Sequence, residues 1–570
     1  GSYNVGVGVD ALLSNTSASE NVAVGGLALT SLIVGAQNTA IGYQALTNNL
    51  ADYNTAVGRS ALTNTTSGER NVAVGRTSLT ANVTGNYNVG VGMFALNSSN
   101  ADGNVAVGYS ALLNNTASNN VAVGFEAGFS NTSGTQITAI GYQALRLSTA
   151  NFNTAVGYLS SATTTTGDAN SSFGRSSLSS NTTGSANTAL GFNTLFSNTT
   201  GISNTAIGVN SLTGGNGSNN TALGQGSLQN NTASNNTAVG FEAALSNTSG
   251  NYLASFGYQA LRNSTGSSNS AFGWRSSYEN TTGSANSSFG ESAGYKTTTG
   301  NYNVSLGASA SYNNVLGSNN TAIGTTALLA NTASNNTAVG FEAGYSNTSS
   351  SGVTAIGYQA LRNSSGANNT AVGNVALFSN TSGSENIAMG FQSSYANTTG
   401  TNNVSIGVNA SYFNSTGGNN TSVGRNALRS NTASNNTAVG YEAADSNTSG
   451  IAITAIGYQS LRSNTSGERN TAVGYQSLYT STGVDNTAIG HNSAYNMNGG
   501  NYCTIIGSRQ DTNGYQAVSM IGCADTATGD NQMRFGSAGA GNGTIANEVN
   551  VSSKVWNVFI NGTAYKILLA

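Results

Sequence analysis

A pentad of the form Asn-Thr-Ala-Val-Gly recurs almost from end to end of this 570-residue chain. Its closing glycines begin Gly8, Gly25, Gly42, Gly58, Gly75, Gly92, Gly108, Gly124 and Gly141. They run on through Gly490 to Gly507, thirty-one in all and always 16 or 17 residues apart. A unit this short cannot bury its own apolar face, so neighbouring units must stack and share a core. Leucine-rich, ankyrin, propeller and helical repeats all need longer units. Helix is further disfavoured because Gly, Asn, Thr and Ser dominate every unit. The period therefore predicts an all-β fold, a β-solenoid or parallel β-roll of about 31 coils. At strand spacing such a stack is a rod roughly 150 Å long.

Each unit reads as a short strand, a second short segment and a turn. Pentad positions two and four are mostly β-branched or large, as in Thr39 and Ile41 or Val72 and Val74. Side chains alternate across a strand, so these two share one face and Asn, Ala and Gly the other. The expectation is that the β-branched face is buried and the small face lies outside. The phrase after the glycine, such as Tyr43-Gln44-Ala45-Leu46, supplies a second apolar wall through its Ala and Leu. Clusters such as Asn181-Thr182-Thr183-Gly184 suit turns and positive-φ positions.

Composition removes several function classes. Only 6% of residues are charged, the net charge is −3, and proline is absent among 74 glycines. There is no basic surface for nucleic acid, no apolar stretch long enough to span a bilayer as a helix, and no Gly-X-Y period of collagen. Missing proline fits stacked coils that need nearly every backbone N–H. One histidine and two cysteines leave little material for catalysis or metal binding. No catalytic residue, metal site or cofactor is assigned, and the chain is not read as an enzyme. His491 stands where other units carry Tyr43, Tyr109, Phe125 or Arg59, and reads as one variant of a repeated position. Acidic residues such as Asp168 and Asp445 are too sporadic for a calcium-binding roll. Cys503 and Cys523 sit at coil positions too far apart for a disulfide and read as free thiols.

A longer period overlies the short one. Asn-Thr-Ala-Ser-Asn-Asn begins at Asn115, Asn231, Asn331 and Asn431, each time followed by a Glu-Ala coil and then an Arg-bearing coil. Within each copy Glu and Arg stand 20 residues apart, as Glu126/Arg146, Glu242/Arg262, Glu342/Arg362 and Glu442/Arg462. In a solenoid these residues lie on neighbouring coils, which predicts four ion pairs, within or between chains. The other reading is a set of unlinked surface charges inherited by segment duplication; exposed pairs add only about 0–1 kcal/mol each.

The pentads Asn-Thr-Ala-Val-Gly, Asn-Val-Ala-Val-Gly and Asn-Thr-Ala-Ile-Gly resemble the head repeats of trimeric autotransporter adhesins and related repeats of bacteriophage tail fibres. The resemblance covers about residues 1–507. It implies a parallel β-roll and an intertwined or side-by-side homotrimer with small residues at the subunit contact. The small column at pentad position three (Ala40, Ala56, Ala238 and Ala338, with Ser172) independently suits close approach of another backbone. The adhesin repeat is shorter than this one, and the heptad stalk and membrane barrel expected after an adhesin head are not among residues 1–570.

Residues 1–507 thus read as the shaft and 508–543 as degenerate terminal coils with a Gly/Ala-rich segment. Residues 544–570 form a β-hairpin cap or tip around Asn561-Gly562, flanked by Trp556, Phe559 and Tyr565. The residue after each pentad glycine is often aromatic. Tyr43, Tyr142, Tyr258, Trp274, Tyr358 and Tyr458 are candidates for stacking on host glycans if they face solvent, and packing residues if they do not. Asn-x-Ser/Thr triplets, for example at Asn15, Asn64, Asn181 and Asn397, arise readily in this composition and matter only on a glycosylating route.

The functional expectation is a structural and adhesive fibre, a phage tail fibre or similar virion appendage, at the virion surface or extracellular. Its expected partners are two further copies of the chain, a host cell-surface glycan or protein receptor, and a baseplate or other fibre protein. Neither nucleic acid nor membrane insertion is expected. The alternative is the passenger of a bacterial trimeric surface adhesin. A minor alternative is an ice-binding solenoid with a flat threonine lane. Against that stands the exchange of Thr for Val22, Val304 or Ile387 at position two, which reads as an inward-facing site.

Overall fold

A computed structural model of the chain describes residues 1–522 and 529–530, and the backbone of the strands Met533–Phe535, Lys554–Ile560 and Thr563–Leu569. The described residues are all-β, a parallel β-solenoid of about 30 turns without a helix. Two compact units are distinguished, Gly1–Asn368 and Asn369–Ala570. The first contains twenty-two three-residue strands, from Val5–Val7 to Thr354–Ile356. The second contains eleven more, from Thr370–Val372 to Met533–Phe535, and a C-terminal hairpin.

Within each unit the three-residue strands are the cores of successive pentads, or of their degenerate C-terminal variants, and they pair parallel and in strict register: Val22 with Thr39, Ala23 with Ala40, Val24 with Ile41. Register is held although the period alternates between 16 and 17 residues, because the extra residue falls in the turn.

The strand faces are the reverse of the sequence expectation. The middle residue of the triplet points inward: Ala40, Ala56, Ala238 and Ala338 have no exposed surface. The flanking residues point outward, Ile41 being 40% exposed and Val304 39%. The cause is the width of the coil. The opposite wall already brings a buried alanine and leucine, such as Ala45 and Leu46. Opposite a leucine only a methyl group fits between that wall and the strand at interior packing density; where the wall is small, serine enters the strand position, and Ile505 and Met520 fill it near the C-terminal end.

The second segment runs through alternating left-handed residues, Gln44 at φ 62° and Leu46 at φ 51°. Such backbone costs roughly 1–2 kcal/mol per residue. It persists because it aims alternate amides at opposite neighbours, while the amide between them, Ala45 N–H, donates to Gly42 O in its own coil. Gln44 N–H donates to Gly26 O at 3.0 Å in the coil before, and Leu46 N–H to Ala61 O at 3.0 Å in the coil after.

Two features complete the interior. Pentad position one carries buried asparagine, and each Oδ1 accepts the backbone N–H of the next: Asn38 Oδ1 from Asn54 N and Asn54 Oδ1 from Asn71 N, both at 2.9 Å. The same side chain donates Nδ2–H to a turn carbonyl one coil on, Asn54 to Gly68 O at 2.8 Å. In the long-period copies Ile137, Leu253, Val353 and Ile453 take this position, also buried. There the leucine of the opposite wall has shrunk to Gly128, Ala244, Gly344 or Ala444. A Cβ placed on Gly128 would lie 3.6 Å from Ile137 Cδ1, so the two positions exchange volume.

At the C-terminal end Lys554–Ile560 pairs antiparallel with Thr563–Leu569, bringing Trp556 opposite Ile567 and Val558 opposite Tyr565. Asn561 and Gly562 lie outside the described residues, as do the side chains of Trp556, Phe559 and Tyr565.

Candidate functional site: surface ladders of rings and charges

In-register stacking turns every outward coil position into a column about 4.8 Å in repeat. Three columns lie side by side on the strand face: the Thr39 position, the Ile41 position, and the Tyr43 position two residues on.

The column of large aliphatic residues is continuous within each unit. In the first it includes Ile41, Val74, Val107, Ile140, Leu190, Leu223, Leu306 and Ile356, all at least 36% exposed. No charged residue stands in it or in the threonine column beside it. Phe256, Phe272 and Phe289 stack within this column, with centroids 4.6 and 4.8 Å apart.

The neighbouring column holds the glycan candidates. Tyr142 stacks between Phe125 and Tyr158 at 5.2 and 5.1 Å. Tyr258 lies between Phe241 and Trp274 at 5.2 and 6.5 Å, and Tyr458 between Tyr441 and Tyr475 at 5.2 and 5.1 Å. Tyr358 stacks on Phe341 at 5.5 Å. Arg59 lies 6.0 Å over Tyr43. Rings stacked within a column cover one another's faces and show solvent their edges, so a sugar has no free face at Tyr142, Tyr258 or Tyr458. His491 extends the same column, 4.9 Å from Tyr475.

The four Glu–Arg pairs form within the chain. Arg Nε donates to the Glu Oε2 of the coil before it, at 2.8 Å for Arg146/Glu126, 2.7 Å for Arg262/Glu242, 2.5 Å for Arg362/Glu342 and 2.6 Å for Arg462/Glu442. A third member was not foreseen. Gln143, Gln259, Gln359 and Gln459 each donate Nε2–H to the same oxygen, at 2.7–2.9 Å. The signal was present in the repeated phrase Tyr-Gln-(Ala/Ser)-Leu-Arg, whose Gln stands three residues before Arg. An aromatic ring completes each cluster: Phe129 under Arg146, Tyr278 beside Arg262, Tyr345 under Arg362 and Tyr479 beside Arg462. The arginine hydrogen bond, aided by glutamine, holds Glu126, Glu242 and Glu342 below the usual glutamate range against the opposing effect of burial. At Glu442 burial is the largest influence and works upward, but the bonds from Gln459, Arg462 and Tyr441 together leave it lowered. Two further pairs, Arg429/Asp445 and Arg469/Asp485, were not anticipated.

Ala40, Ala56, Ala238 and Ala338 are enclosed by their own chain and present nothing to a second one, which corrects the small-residue subunit contact. Thr39 faces outward, as do Val22, Val304 and Ile387. Position two is therefore outward-facing, the reverse of the sequence expectation. Asn181 and Asn397 are buried and Asn64 is exposed. Cys503 is free and buried, its thiol pushed up chiefly by burial; Cys523 lies outside the described residues. Among the described residues no group of three or more His, Cys, Asp or Glu could hold a metal ion. Comparison with known protein families, with curated proteins and with solved structures finds no match to this chain.

Proposed function

We propose that the chain is the shaft of a structural and adhesive fibre, a virion tail fibre or similar appendage, in which three copies pack through the outward strand face. The observation that carries this reading is the uncharged aliphatic column. It leaves a contiguous band of exposed apolar side chains along the first unit, Ile41 40%, Leu190 47%, Leu223 43% and Leu306 46% open among them. Soluble monomers rarely expose contiguous apolar patches larger than a few hundred Å², and such a band is what a subunit contact covers. The number three follows from the resemblance to trimeric adhesin heads. The C-terminal hairpin is assigned as the cap of the stack or its host-recognition tip, where a cell-surface glycan or protein would bind.

Sedimentation of the full chain tests the assembly. A trimer is expected, and a variant carrying Leu190→Glu, Leu223→Glu and Leu306→Glu should be monomeric with unchanged circular dichroism. A monomeric parent chain at micromolar concentration removes the trimer. Adhesion is tested separately, by binding of the chain and of a variant without residues 544–570 to bacterial surface polysaccharides. Residence in a phage particle or on a bacterial surface is decided by whether the neighbouring genes encode virion or secretion components.

One observation favours a second reading, an ice-binding face. Thr188, Thr205, Thr221 and Thr237 occupy the same outward position of successive coils. Beside them, however, stand Leu190 and Leu223 and projecting rings, which break the plane. Thermal hysteresis in solution would favour ice binding, and its absence the fibre.

A further inference from the structure

Among the described residues twelve tyrosines stack face to face on a tyrosine of the adjacent coil, out of 25 in the chain. In the first unit Tyr278, Tyr295 and Tyr312 form a ladder with centroids 5.3 and 4.9 Å apart and ring planes within 14°. In the second unit Tyr441, Tyr458 and Tyr475 form another, at 5.2 and 5.1 Å and within 8°. Tyr395 lies 5.1 Å from Tyr412, and Tyr479 4.9 Å from Tyr495. In-register pairing imposes this geometry wherever adjacent coils both place tyrosine at one position. The ring carbons beside each hydroxyl are thereby held close to those of the next ring. All these side chains are partly open to solvent, so an oxidant reaches the phenols.

We propose that the tyrosine ladders are sites of oxidative cross-linking, at which neighbouring coils become joined through dityrosine. The oxidant class is hydrogen peroxide acting through a haem peroxidase. Each phenol gives up one electron and its hydroxyl proton, leaving two neutral phenoxyl radicals whose unpaired spin lies partly on the ring carbons beside oxygen. One such carbon of each ring forms the new C–C bond. Each then gives up its hydrogen as a proton and the phenol oxygen regains one, restoring both aromatic rings. Two tyrosines together lose two hydrogen atoms, and one peroxide is reduced to two water molecules. The bond closes a loop of one coil, so a linked ladder resists peeling of successive turns. The inference needs coil-to-coil register and open rings: Tyr278, Tyr295 and Tyr312 stand outside the three strand-face columns and stay open whether or not copies pack there, whereas Tyr441, Tyr458 and Tyr475 belong to the third column and are open in the separate chain.

Geometry, rather than exposure, should select the tyrosines. Tyr252 and Tyr302 are 66% and 68% exposed, more open than the ladder residues. Tyr302 has Ala285 and Asn319 at its position in the adjacent coils, and Tyr252 has Asn235 and Ser268. Tyr53 and Tyr87 are separated by Arg70, whose guanidinium lies 5.2 and 5.5 Å from the two rings.

The test is treatment of the full chain with hydrogen peroxide and a haem peroxidase, followed by dityrosine fluorescence and mass mapping of linked peptides. Links between Tyr278 and Tyr295, Tyr295 and Tyr312, Tyr441 and Tyr458, and Tyr458 and Tyr475 are expected, with a yield unchanged on tenfold dilution. Tyr295→Phe should abolish the first two and leave the others, whereas Tyr302→Phe should change nothing. The linked chain should also unfold at a higher guanidinium concentration than the untreated one. The proposal is overturned if the linked peptides come mainly from Tyr252 or Tyr302, if yield falls in proportion to dilution, or if tyrosine is consumed without dityrosine.

Discussion

Ser277 and Ser288 meet inside the solenoid, the hydroxyl of one 2.8 Å from that of the other. Ser277 occupies the wall position that most coils give to leucine, and Ser288 the strand position most give to alanine. The same double exchange occurs at Ser161/Ser172, Ser394/Ser405 and Ser411/Ser422, with hydroxyls 2.7–2.8 Å apart. Ser311 faces Ala322 instead, and its buried hydroxyl has no partner. Replacing Ser288 by Ala should therefore cost about 1–3 kcal/mol, since it strands the Ser277 hydroxyl. Combining it with Ser277→Ala should recover part of that loss, and thermal unfolding of both variants checks the difference.

The asparagine column makes a sharper demand. Asn54→Ala removes the acceptor of the Asn71 N–H and the donor to Gly68 O at one stroke. A loss of roughly 2–4 kcal/mol is expected for two buried groups left unpaired. Hydrogen exchange at the Asn71 amide should accelerate before that of distant coils, because stability in stacked repeats is largely local.

Gly42 and Gly26 should respond differently to a methyl group. Gly42 has φ +135°, and a Cβ there would lie 2.6 Å from Gly58 O. Gly42→Ala should destabilise the surrounding coils by about 3 kcal/mol or more. A Cβ on Gly26 would meet Tyr43 Cδ2 at 3.4 Å, an ordinary contact, so Gly26→Ala should change stability by less than about 1 kcal/mol. Chemical denaturation compares the two.

Acid should weaken the charged clusters in a defined direction. Folding lowers the pKa of Glu126, Glu242 and Glu342, so their contribution is present above the ordinary glutamate range and is lost as pH falls through it and below. Each cluster is partly exposed, and a contribution of about 1 kcal/mol at most is expected. Glu242→Gln should remove that cluster's share of the pH dependence below about pH 4.5, while Tyr302→Phe leaves it intact. Unfolding midpoints measured across that range decide the matter.

The period, the place of each strand and the Ala-Leu wall could be read from the residues, because turn glycines and Thr-Ala-Val triplets report local backbone. The direction of the strand faces could not be read the same way. A three-residue strand alternates equally well in two phases, and hydrophobicity favours burying Val over Ala. Coil width decides otherwise, and width is a property of the closed turn. Clues to it were nevertheless present: Phe256, Phe272 and Phe289 are too large for an interior that also holds Leu261. Serine enters the alanine column mostly where the opposite wall is also small. The Glu–Arg partners were legible from their constant separation, whereas Gln143 and its counterparts looked like ordinary surface residues until stacking brought three side chains to one oxygen.

The uniform bonding edge of the coil has an evolutionary consequence. Asn236 N–H donates to Asn220 Oδ1 at 3.0 Å, as Asn336 N–H donates to Asn320 Oδ1 at 2.9 Å, and each is followed by the same Thr-Ala-Val strand. Unequal recombination between the two copies would excise or add a whole six-coil block and leave the junction chemically identical to what it replaced. Length is then a heritable dial, adjustable in fixed steps without redesigning either end.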